Sequence, residues 1–238
     1  MNPIARKLAF LKDSLAKYGL AVTLCDLGTR ALNSVSAFQV QRGMTVVLDD
    51  VTDPRQFEAP GFSTRFLSPE EMWALAVDPA HQLPGDFVRQ AIERGDHCHA
   101  FFDEQGALAA YGWYSNQRTP LDEHFELRFD PGWTYMYKGF VLPAYRGQRL
   151  HAVGMCQALR EFTAQGKKGL ISCVLANNGA SLKSVARMGY RIFGDVYLLR
   201  VMGRSFSWAT PGCRAYGFAI EPIEDLRAAS AAGSFRKL

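Results

Sequence analysis

The sequence YMYKGFVLPAYRGQRLH, residues 135–151, decides the fold. The part before Pro143 is β-rich and predicts a strand, and the part after it is expected to turn and to open a helix. The first turn of a helix leaves backbone N–H groups without partners and carries partial positive charge. Gly147 lets a ligand approach the backbone closely, and Arg146 and Arg149 add positive charge. The stretch therefore predicts an anion site; a plain strand-to-helix turn with a glycine is the simpler alternative.

The residues around this turn resemble the core motif of the GCN5-related N-acetyltransferase (GNAT) superfamily, Gln/Arg-x-x-Gly-x-Gly/Ala. The match lies within Val141-x-Pro143-x-Tyr145-Arg146-Gly147-Gln148. In that family the turn binds the pyrophosphate of acetyl-coenzyme A. The resemblance therefore implies that a set of residues at the start of the helix, which is expected from Gln148, binds an acyl-coenzyme A: Arg146, Gly147, Gln148, Arg149, Leu150 and His151.

This sequence departs from the family pattern at two positions. The two later glycines of the pattern fall on Arg149 and His151, so side chains stand where the family has none. If both residues have helical φ values, their N–H groups still face the ligand and their side chains point outward. We expect that geometry at this turn.

A second part of the resemblance lies at residues 178–190. Asn178-Gly179-Ala180-Ser181, Val185 and Gly189-Tyr190 have the family's spacing of an asparagine, a small residue three positions on, and a closing Gly-aromatic pair. The amide of Asn178 is expected to bind the pantetheine arm, and Ser181 is expected to meet a polar ligand at a helix N-terminus. The alternative is that Asn178 only caps the helix.

The order of predicted elements gives the fold class. From Ser63 to Trp208 it is one strand, two helices, three strands, a helix, a strand, a helix and final strands, which is the order of the GNAT fold. The predicted class is α/β (α+β): a GNAT-like mixed, mostly antiparallel central sheet flanked by helices, with a helical N-terminal extension. The predicted domains are residues 1–60, the extension with a short strand; residues 61–210, the acyltransferase domain; and residues 211–238, a C-terminal tail.

The first part of the chain lies outside the resemblance. Apolar residues at three- and four-residue steps predict an amphipathic helix from Pro3 to Tyr18 that ends near Gly19, and a second helical pattern reaches Phe38. Residues 44–48 predict a strand. We expect the apolar faces to pack on the main domain or on each other; contact of the basic helix with a membrane surface is the alternative.

The resemblance implies direct transfer of an acyl group from coenzyme A to an amine. In the family the central strand leaves its neighbour at a bulge, and backbone groups there face the pantetheine arm. The corresponding residues are Phe140, Val141 and Leu142, and Gly139 is consistent with such a bulge.

Two residues are candidates for the general base of this reaction. They are Glu126, on the loop that enters the central strand, and Tyr137, within that strand. In many relatives a tyrosine in the last helix is the general acid that protonates the departing thiolate, and this chain has Val185 at that position. Because the thiolate of coenzyme A is a tolerable leaving group, a dedicated acid is not required.

The composition excludes several classes of function. A net charge of +4 is too small to indicate nucleic-acid binding. The five cysteines lack Cys-x-x-Cys spacing, and His97-Cys98-His99 has no accompanying ligands, so neither a disulfide framework nor a metal site is indicated. No run reaches the ~18 apolar residues of a membrane span, and the N-terminus lacks a signal-peptide pattern. A cytoplasmic protein is expected.

The leading functional prediction is an N-acyltransferase that uses acetyl-coenzyme A or another acyl-coenzyme A and an amine of a small molecule or protein. One alternative takes long-chain acyl groups from coenzyme A or acyl carrier protein, which the apolar N-terminal helices suggest. Another is a non-catalytic GNAT-fold protein that binds a ligand or partner, which Arg149, His151 and Val185 suggest. A homodimer is also left open.

Overall fold

The computed structural model describes residues 3–32 and 37–223. Within these ranges the helices are α1 (Pro3–Leu32), α2 (Pro69–Leu75), α3 (Gly85–Arg94), α4 (Leu150–Ala164) and α5 (Gly179–Arg187). The strands are β1 (Ala37–Val46), β2 (Ser63–Phe66), β3 (His97–Phe102), β4 (Leu108–Ser115), β5 (Thr119–Pro120), β6 (Phe125–Arg128), β7 (Trp133–Val141), β8 (Gly169–Leu175), β9 (Arg191–Val201), β10 (Arg204–Ala209) and β11 (Ala219–Pro222).

The main sheet contains eight strands in the order β10-β9-β1-β8-β7-β4-β3-β2. Neighbouring strands are antiparallel except for β7 and β8, which are parallel. A second sheet has the order β11-β6-β5 and is antiparallel. The prediction of a mixed, mostly antiparallel sheet flanked by helices is confirmed.

The strand β1 lies inside the main sheet, between β8 and β9. The sequence prediction placed it in a separate extension and made it shorter, at residues 44–48, with Phe38 in a helix. Polar residues such as Gln41 and Arg42 obscured the strand pattern. Arg42 forms a paired contact with Asp195 of β9, with Nε and Nη2 at 2.9 and 3.1 Å from the two carboxylate oxygens. The strand therefore belongs to the main sheet and not to an appended segment.

The C-terminal region is also part of the fold as far as residue 223. The prediction treated residues 211–238 as a tail, whereas β11 pairs with β6 in the second sheet. The short turn Pro211–Tyr216 precedes it, and Cys213 of this turn is buried in the core under that sheet. The helix predicted from Asp225 lies outside the described residues.

Helix α1 is bent at Gly19, whose φ of 80° and ψ of 173° are not helical. This bend confirms the predicted end of the first helical segment. The helix packs against the start of α5, where a Cβ on Gly179 would lie 2.5 Å from Cγ of Tyr18. Nearby, Nδ2 of Asn177 donates a hydrogen bond to Asp26 at 3.2 Å. Across the described residues, no helix has the length and apolarity needed to cross a membrane.

The two faces of the sheet are covered by different layers. On one face, α4 and α5 pack on β1, β7 and β8, with Phe162 and Met155 among the buried residues. On the other face, α2 and α3 cover β3 and β4, and the second sheet covers β7, β8 and β9. Since successive residues of a strand point to opposite faces, Met136 faces α4 while Tyr135 and Tyr137 face the second sheet and α3. The strands β7 and β8 thus run between the two layers.

The start of α2 confirms a local prediction. Oγ of Ser68 accepts a hydrogen bond from the Glu71 amide at 3.3 Å, and the Glu71 carboxylate accepts one from the Ser68 amide at 2.9 Å. This is the reciprocal capping arrangement that the sequence Ser68-Pro69-Glu70-Glu71 predicts.

Candidate functional site

The strands β7 and β8 separate after a short stretch of pairing. Their parallel register includes only Trp133 with Gly169, Thr134 with Leu170, and Tyr135 with Ile171. One residue further on, Oγ of Ser172 donates to the carbonyl of Met136 at 2.9 Å. Beyond that side-chain bridge β7 continues to Val141 and β8 to Leu175, but the two strands no longer pair with each other. A cleft therefore opens in the middle of the sheet.

A bulge in β7 marks the point where the cleft begins. On the β4 side, Trp113 is paired with Lys138 and Tyr114 with Met136, so Tyr137 is the extra residue. The sequence prediction put this bulge at Gly139, two residues further on. An extra residue bends a strand and increases its twist, and here it accompanies the departure of β7 from β8.

The cleft contains a cavity of about 230 Å³. Four elements line it: β7, β8, α4 and α5. Its polar groups include three serine hydroxyls, and its apolar part comes from Met136, Met155, Val174 and Val185. The other lining residues include Tyr137, Gly139, His151, Ser172, Cys173, Ser181 and Ser184.

The backbone of β7 presents alternate peptide groups to the cleft. The Leu142 amide donates to the Ala109 carbonyl at 3.0 Å. In an antiparallel pair every second residue bonds to the same neighbour, so Phe140 also faces β4, whereas Gly139 and Val141 face the cleft. The prediction that Phe140, Val141 and Leu142 all face the ligand is therefore wrong for Phe140 and Leu142. The sequence analysis named Gly139 only as the site of a bulge and missed it as a residue that faces the cleft.

The turn after β7 does not have the predicted helical geometry. Helix α4 begins at Leu150, not at Gln148, and the preceding Arg149 has a φ of 62°. Gly147 has a φ of 87°, and no atom lies within 4 Å of a Cβ built on it. The expectation of a helical φ at Arg149 is thus wrong, because two residues with positive φ reverse the chain before the helix starts.

The first turn of α4 has no side-chain cap. Its amide groups therefore keep the unpaired donors and the partial positive charge of a helix N-terminus. Arg146, Gln148 and Arg149 are exposed around it, and Nε of Arg146 donates to the Val141 carbonyl at 3.3 Å. Leu150 is buried and can offer a ligand only its backbone. Residues 146–151, which were predicted to bind the acyl-coenzyme A, thus lie together at one corner of the cleft, with the exception of the His151 side chain.

The side chain of His151 points inward, against expectation. A Cβ on Gly139 would lie 2.5 Å from Nδ1 of His151, so the ring occupies the space that a side chain at position 139 would need. The ring lines the cavity from its α4 side and leaves the cavity open. Burial lowers the pKa of His151.

Tyr145 anchors the same corner to the neighbouring hairpin. Its hydroxyl donates to Oδ2 of Asp103, in the turn between β3 and β4, at 2.5 Å. This hydrogen bond is the main reason why the pKa of Asp103 is lowered. Sequence reasoning included Tyr145 in the motif without a role, and Asp103 lies 42 residues away from it in the chain.

Asn178 and Ser181 lie at the start of α5, where they were predicted. Oδ1 of Asn178 accepts a hydrogen bond from the Ser181 amide at 3.1 Å, so Asn178 caps the helix. This is the alternative role that the sequence left open. Ser181 lines the cavity, and its binding role stays a prediction.

Tyr137 lines the cavity but is tied to a buried ion pair. Its hydroxyl donates to Oδ2 of Asp96 at 2.8 Å, and Nη2 of Arg94 lies 2.6 Å from the same oxygen. The other oxygen of Asp96 is buried without a hydrogen-bond partner. Burial, and then the charge of Asp96, raises the pKa of Tyr137 strongly. A phenol that keeps its proton cannot start as a base, so this geometry disfavours the base role for Tyr137.

Glu126 is not brought to the cleft. It lies on β6, whose neighbours Phe125 and Leu127 point into the core, so the Glu126 side chain faces away from it. Its carboxylate contacts Nη1 of Arg118 at 3.7 Å, beside Glu221. The residues that line the cavity do not include Glu126. The base role predicted for it has no support in this arrangement.

The thiols of Cys173 and Cys98 are not activated as nucleophiles, because the pKa of each is raised and not lowered. Burial raises the pKa of Cys173 to about 11, and its sulfur lies 3.4 Å from the Tyr135 hydroxyl. Burial also raises the pKa of Cys98, in the middle of the His97-Cys98-His99 run. In the described part of the chain, no group of three or more His, Cys, Asp or Glu side chains is placed to hold a metal ion.

Comparison with known proteins gives structural matches only. No family model matches the sequence, and no curated protein matches it. Among solved structures, a GCN5-related N-acetyltransferase-like protein from Streptococcus suis is similar, with a TM-score of 0.48 and 13% identity over 74% of this chain and 66% of that one.

Two further solved structures are similar to the chain. A tandem GNAT protein from the clavulanic acid biosynthesis pathway has a TM-score of 0.49 and 14% identity over 83% of this chain and 57% of that one. An acetyltransferase of the GNAT family from Colwellia psychrerythraea has a TM-score of 0.46 and 16% identity over 74% of this chain and 62% of that one.

Structures named as GNAT proteins are thus among those to which the chain is similar, as the sequence motifs lead one to expect. The chain spans between 56% and 66% of the length of the first solved structures that it matches. At these identities the likeness concerns the fold alone, so the function has to be argued from the chain's own site.

Proposed function

We propose that this protein is an acyl-coenzyme A-dependent N-acyltransferase of the GNAT type that moves a short acyl group directly to an amine of a small molecule or protein. The observation that carries the proposal is the separation of β7 from β8 beside the uncapped start of α4. An extended ligand can lie in such a cleft with an anionic group on the helix N-terminus.

The residues at the mouth of the cleft fit a diphosphate. The unpaired amide groups of the first turn of α4 supply donors, and Gly147 leaves open space in front of them. Exposed Arg146 and Arg149 supply formal positive charge. Charged hydrogen bonds of this kind are stronger than neutral ones, so this corner suits an anion better than a neutral ligand.

The cleft itself fits the pantetheine arm. The arm is thin, is mostly apolar and carries amide groups, and the cavity combines apolar walls with the hydroxyls of Ser172, Ser181 and Ser184. The peptide groups of Gly139 and Val141 face the cleft and can pair with those amides. The cavity of about 230 Å³ favours acetyl or another short acyl group over a long chain.

Acyl-coenzyme A, when bound, supplies an activated carbonyl carbon. The chain contributes a fixed N–H donor at Gly139 or Val141, which polarises that carbonyl as negative charge develops on its oxygen. A single donor of this kind is worth ~3 kcal/mol, or about two orders of magnitude in rate.

Acetyl-coenzyme A is expected to stabilise the protein against thermal unfolding. At a concentration of about a hundred times Kd, a ligand that binds only the folded state adds ~2.7 kcal/mol. The measurement is the melting temperature with acetyl-coenzyme A, with coenzyme A and with a long-chain acyl-coenzyme A. Absence of any shift at millimolar acetyl-coenzyme A contradicts the proposal.

Turnover separates an enzyme from a binding protein with the same fold. The free thiol released from acetyl-coenzyme A is measured in the presence of a broad panel of amines. Binding without turnover of any amine would favour the non-catalytic alternative. A stronger shift with the long-chain thioester than with acetyl-coenzyme A would favour the long-chain alternative.

A further inference from the structure

One titratable side chain in the cleft has no role in the proposed function so far. His151 is the second residue of α4, and its ring lies against the backbone of Gly139. The ring also borders a small space under β4, beside Gly112, which is the residue paired with Gly139 across the two strands. The absence of a side chain at Gly139 thus makes room for the imidazole next to the peptide group that opens to the cleft, whereas the space at Gly112 is taken by the Tyr114 ring.

The ring nitrogens of His151 are available to a ligand. No hydrogen bond to either nitrogen comes from the described residues, although the side chain is mostly buried. The ring instead faces the cavity between β7 and β8. Both nitrogens are therefore free to form hydrogen bonds with a ligand that brings a donor or an acceptor into the cavity.

The other titratable groups around His151 keep their protons at neutral pH. They are Tyr137 of β7, Tyr111 and Tyr114 of β4, and Cys173 of β8. Burial raises the pKa of all four. The part of the lining that α5 supplies is Ser181, Ser184 and Val185, which do not titrate in this range.

The described residues that line the two spaces include no Asp, Glu, Lys or Arg, and the Asp96–Arg94 pair lies behind Tyr137. Arg149 precedes His151 in the chain and is exposed at the mouth of the cleft. Burial and the positive end of α4 both disfavour the charged imidazole, so His151 is neutral at physiological pH. Of the described residues that line the two spaces, His151 is the one that can take up and release a proton near neutrality.

We propose that His151 is the proton-transfer residue of the acyl transfer, an inference that rests on the function proposed above. The neutral imidazole accepts the proton that the amine nitrogen loses as the new C–N bond forms. It then gives a proton to the sulfur as the C–S bond breaks. The products are an amide and a free thiol, the imidazole ends neutral, and no further reactant is consumed.

The first test observes the imidazole directly in the full chain, without the need for an acceptor. The ring carbons of the histidines are isotopically labelled, and the His151 signal is identified by its loss in His151→Gln. Coenzyme A and acetyl-coenzyme A are expected to shift this signal. A fragment of coenzyme A that keeps the nucleotide but lacks the pantetheine arm is expected to shift it less, because the fragment reaches the start of α4 but not the ring in the cavity.

His97 provides a matched control in the same spectra. It is also partly buried, burial also lowers its pKa, and its ring packs on Phe162 of the same helix α4. It does not line the cavity between the strands. Its signal is expected to stay unchanged with all three ligands.

The outcomes separate the two proposals. If acetyl-coenzyme A produces no thermal shift, the function proposed for the cleft fails, and the role of His151 fails with it. If acetyl-coenzyme A stabilises the protein but the His151 signal does not move, only the role of His151 is overturned.

A kinetic test uses the amines that give turnover with acetyl-coenzyme A. His151→Gln is expected to lower kcat by about a hundredfold or more, while the Kd of acetyl-coenzyme A changes little. Because burial lowers the pKa of His151, the wild-type rate should fall at pH values below the ordinary histidine pKa of ~6.5, where protonation removes the base. That pH dependence should be absent in His151→Gln and retained in His97→Gln. A His151→Gln enzyme with unchanged kcat overturns the proposal.

Discussion

Gly147→Glu is expected to weaken the binding of acetyl-coenzyme A severely. The new carboxylate would stand in the open space before the first turn of α4, where the diphosphate is proposed to lie. Two like charges ~4 Å apart near a protein surface repel by about 4 kcal/mol, or roughly a thousandfold in Kd. Salt screens part of this repulsion, so we expect a weakening of at least about a hundredfold, measured by calorimetric titration.

The matched control is Gly166→Glu, just beyond the other end of the same helix. Gly166 has a φ of 89°, against 87° for Gly147, and no atom lies within 4 Å of a Cβ built on either residue. Both variants therefore carry the same backbone strain and the same added charge, but only one carries them at the proposed diphosphate site. Equal losses of affinity would mean that strain, not the site, is responsible. Unchanged affinity in Gly147→Glu would mean that the anion site is misplaced.

Gly139→Ala is expected to destabilise the protein and to weaken ligand binding at the same time. The added Cβ would lie 2.5 Å from Nδ1 of His151, so the ring must move towards the cavity. Overpacking of this kind costs about 1–3 kcal/mol of unfolding free energy. The measurement is the urea midpoint, together with the Kd of acetyl-coenzyme A for the same variant.

A double-mutant cycle tests whether the His151 ring is the cause. In the chain that carries Gly139→Ala, the further change His151→Ala removes the ring and should recover most of the lost stability. The two changes are therefore expected to be strongly non-additive. Additive effects would show that the alanine at position 139 disturbs the strand β7 itself and not its contact with His151.

Local signals in the sequence predicted a large part of the fold. The capping arrangement at Ser68 depends on residues three positions apart, and both of its hydrogen bonds are present. The turn at Arg146 and the helix start at Asn178 were also found, because their residue types are informative at fixed spacing. The prediction of a mixed sheet followed from the order of these elements.

The geometry of the site was harder to predict from the sequence, because it depends on contacts between residues that are distant in the chain. A non-glycine residue with positive φ is uncommon, so no local signal indicated the conformation of Arg149. The inward position of His151 requires the absence of a side chain at Gly139, twelve residues earlier. Tyr137 meets its partner Asp96 across 41 residues.

The predicted role of Glu126 failed for a related reason. Residues 116–132 carry turn residues and charges, and they were interpreted as a loop that could reach the cleft. Part of that segment forms β5 and β6, which are completed by β11 about a hundred residues later in the chain. The pairing with β11 determines which way Glu126 points, and no pattern within the segment contains that information.

The position of β1 has a consequence for how the protein is made. Its two neighbours in the sheet begin at Gly169 and Arg191, so β1 leaves the ribosome more than a hundred residues before either. At ~5–20 residues per second, it waits roughly ten seconds with both hydrogen-bonding edges unsatisfied. Such distant pairing slows folding and exposes an aggregation-prone segment meanwhile. Residues 37–46 therefore gain their two sheet partners only late in the synthesis of the chain.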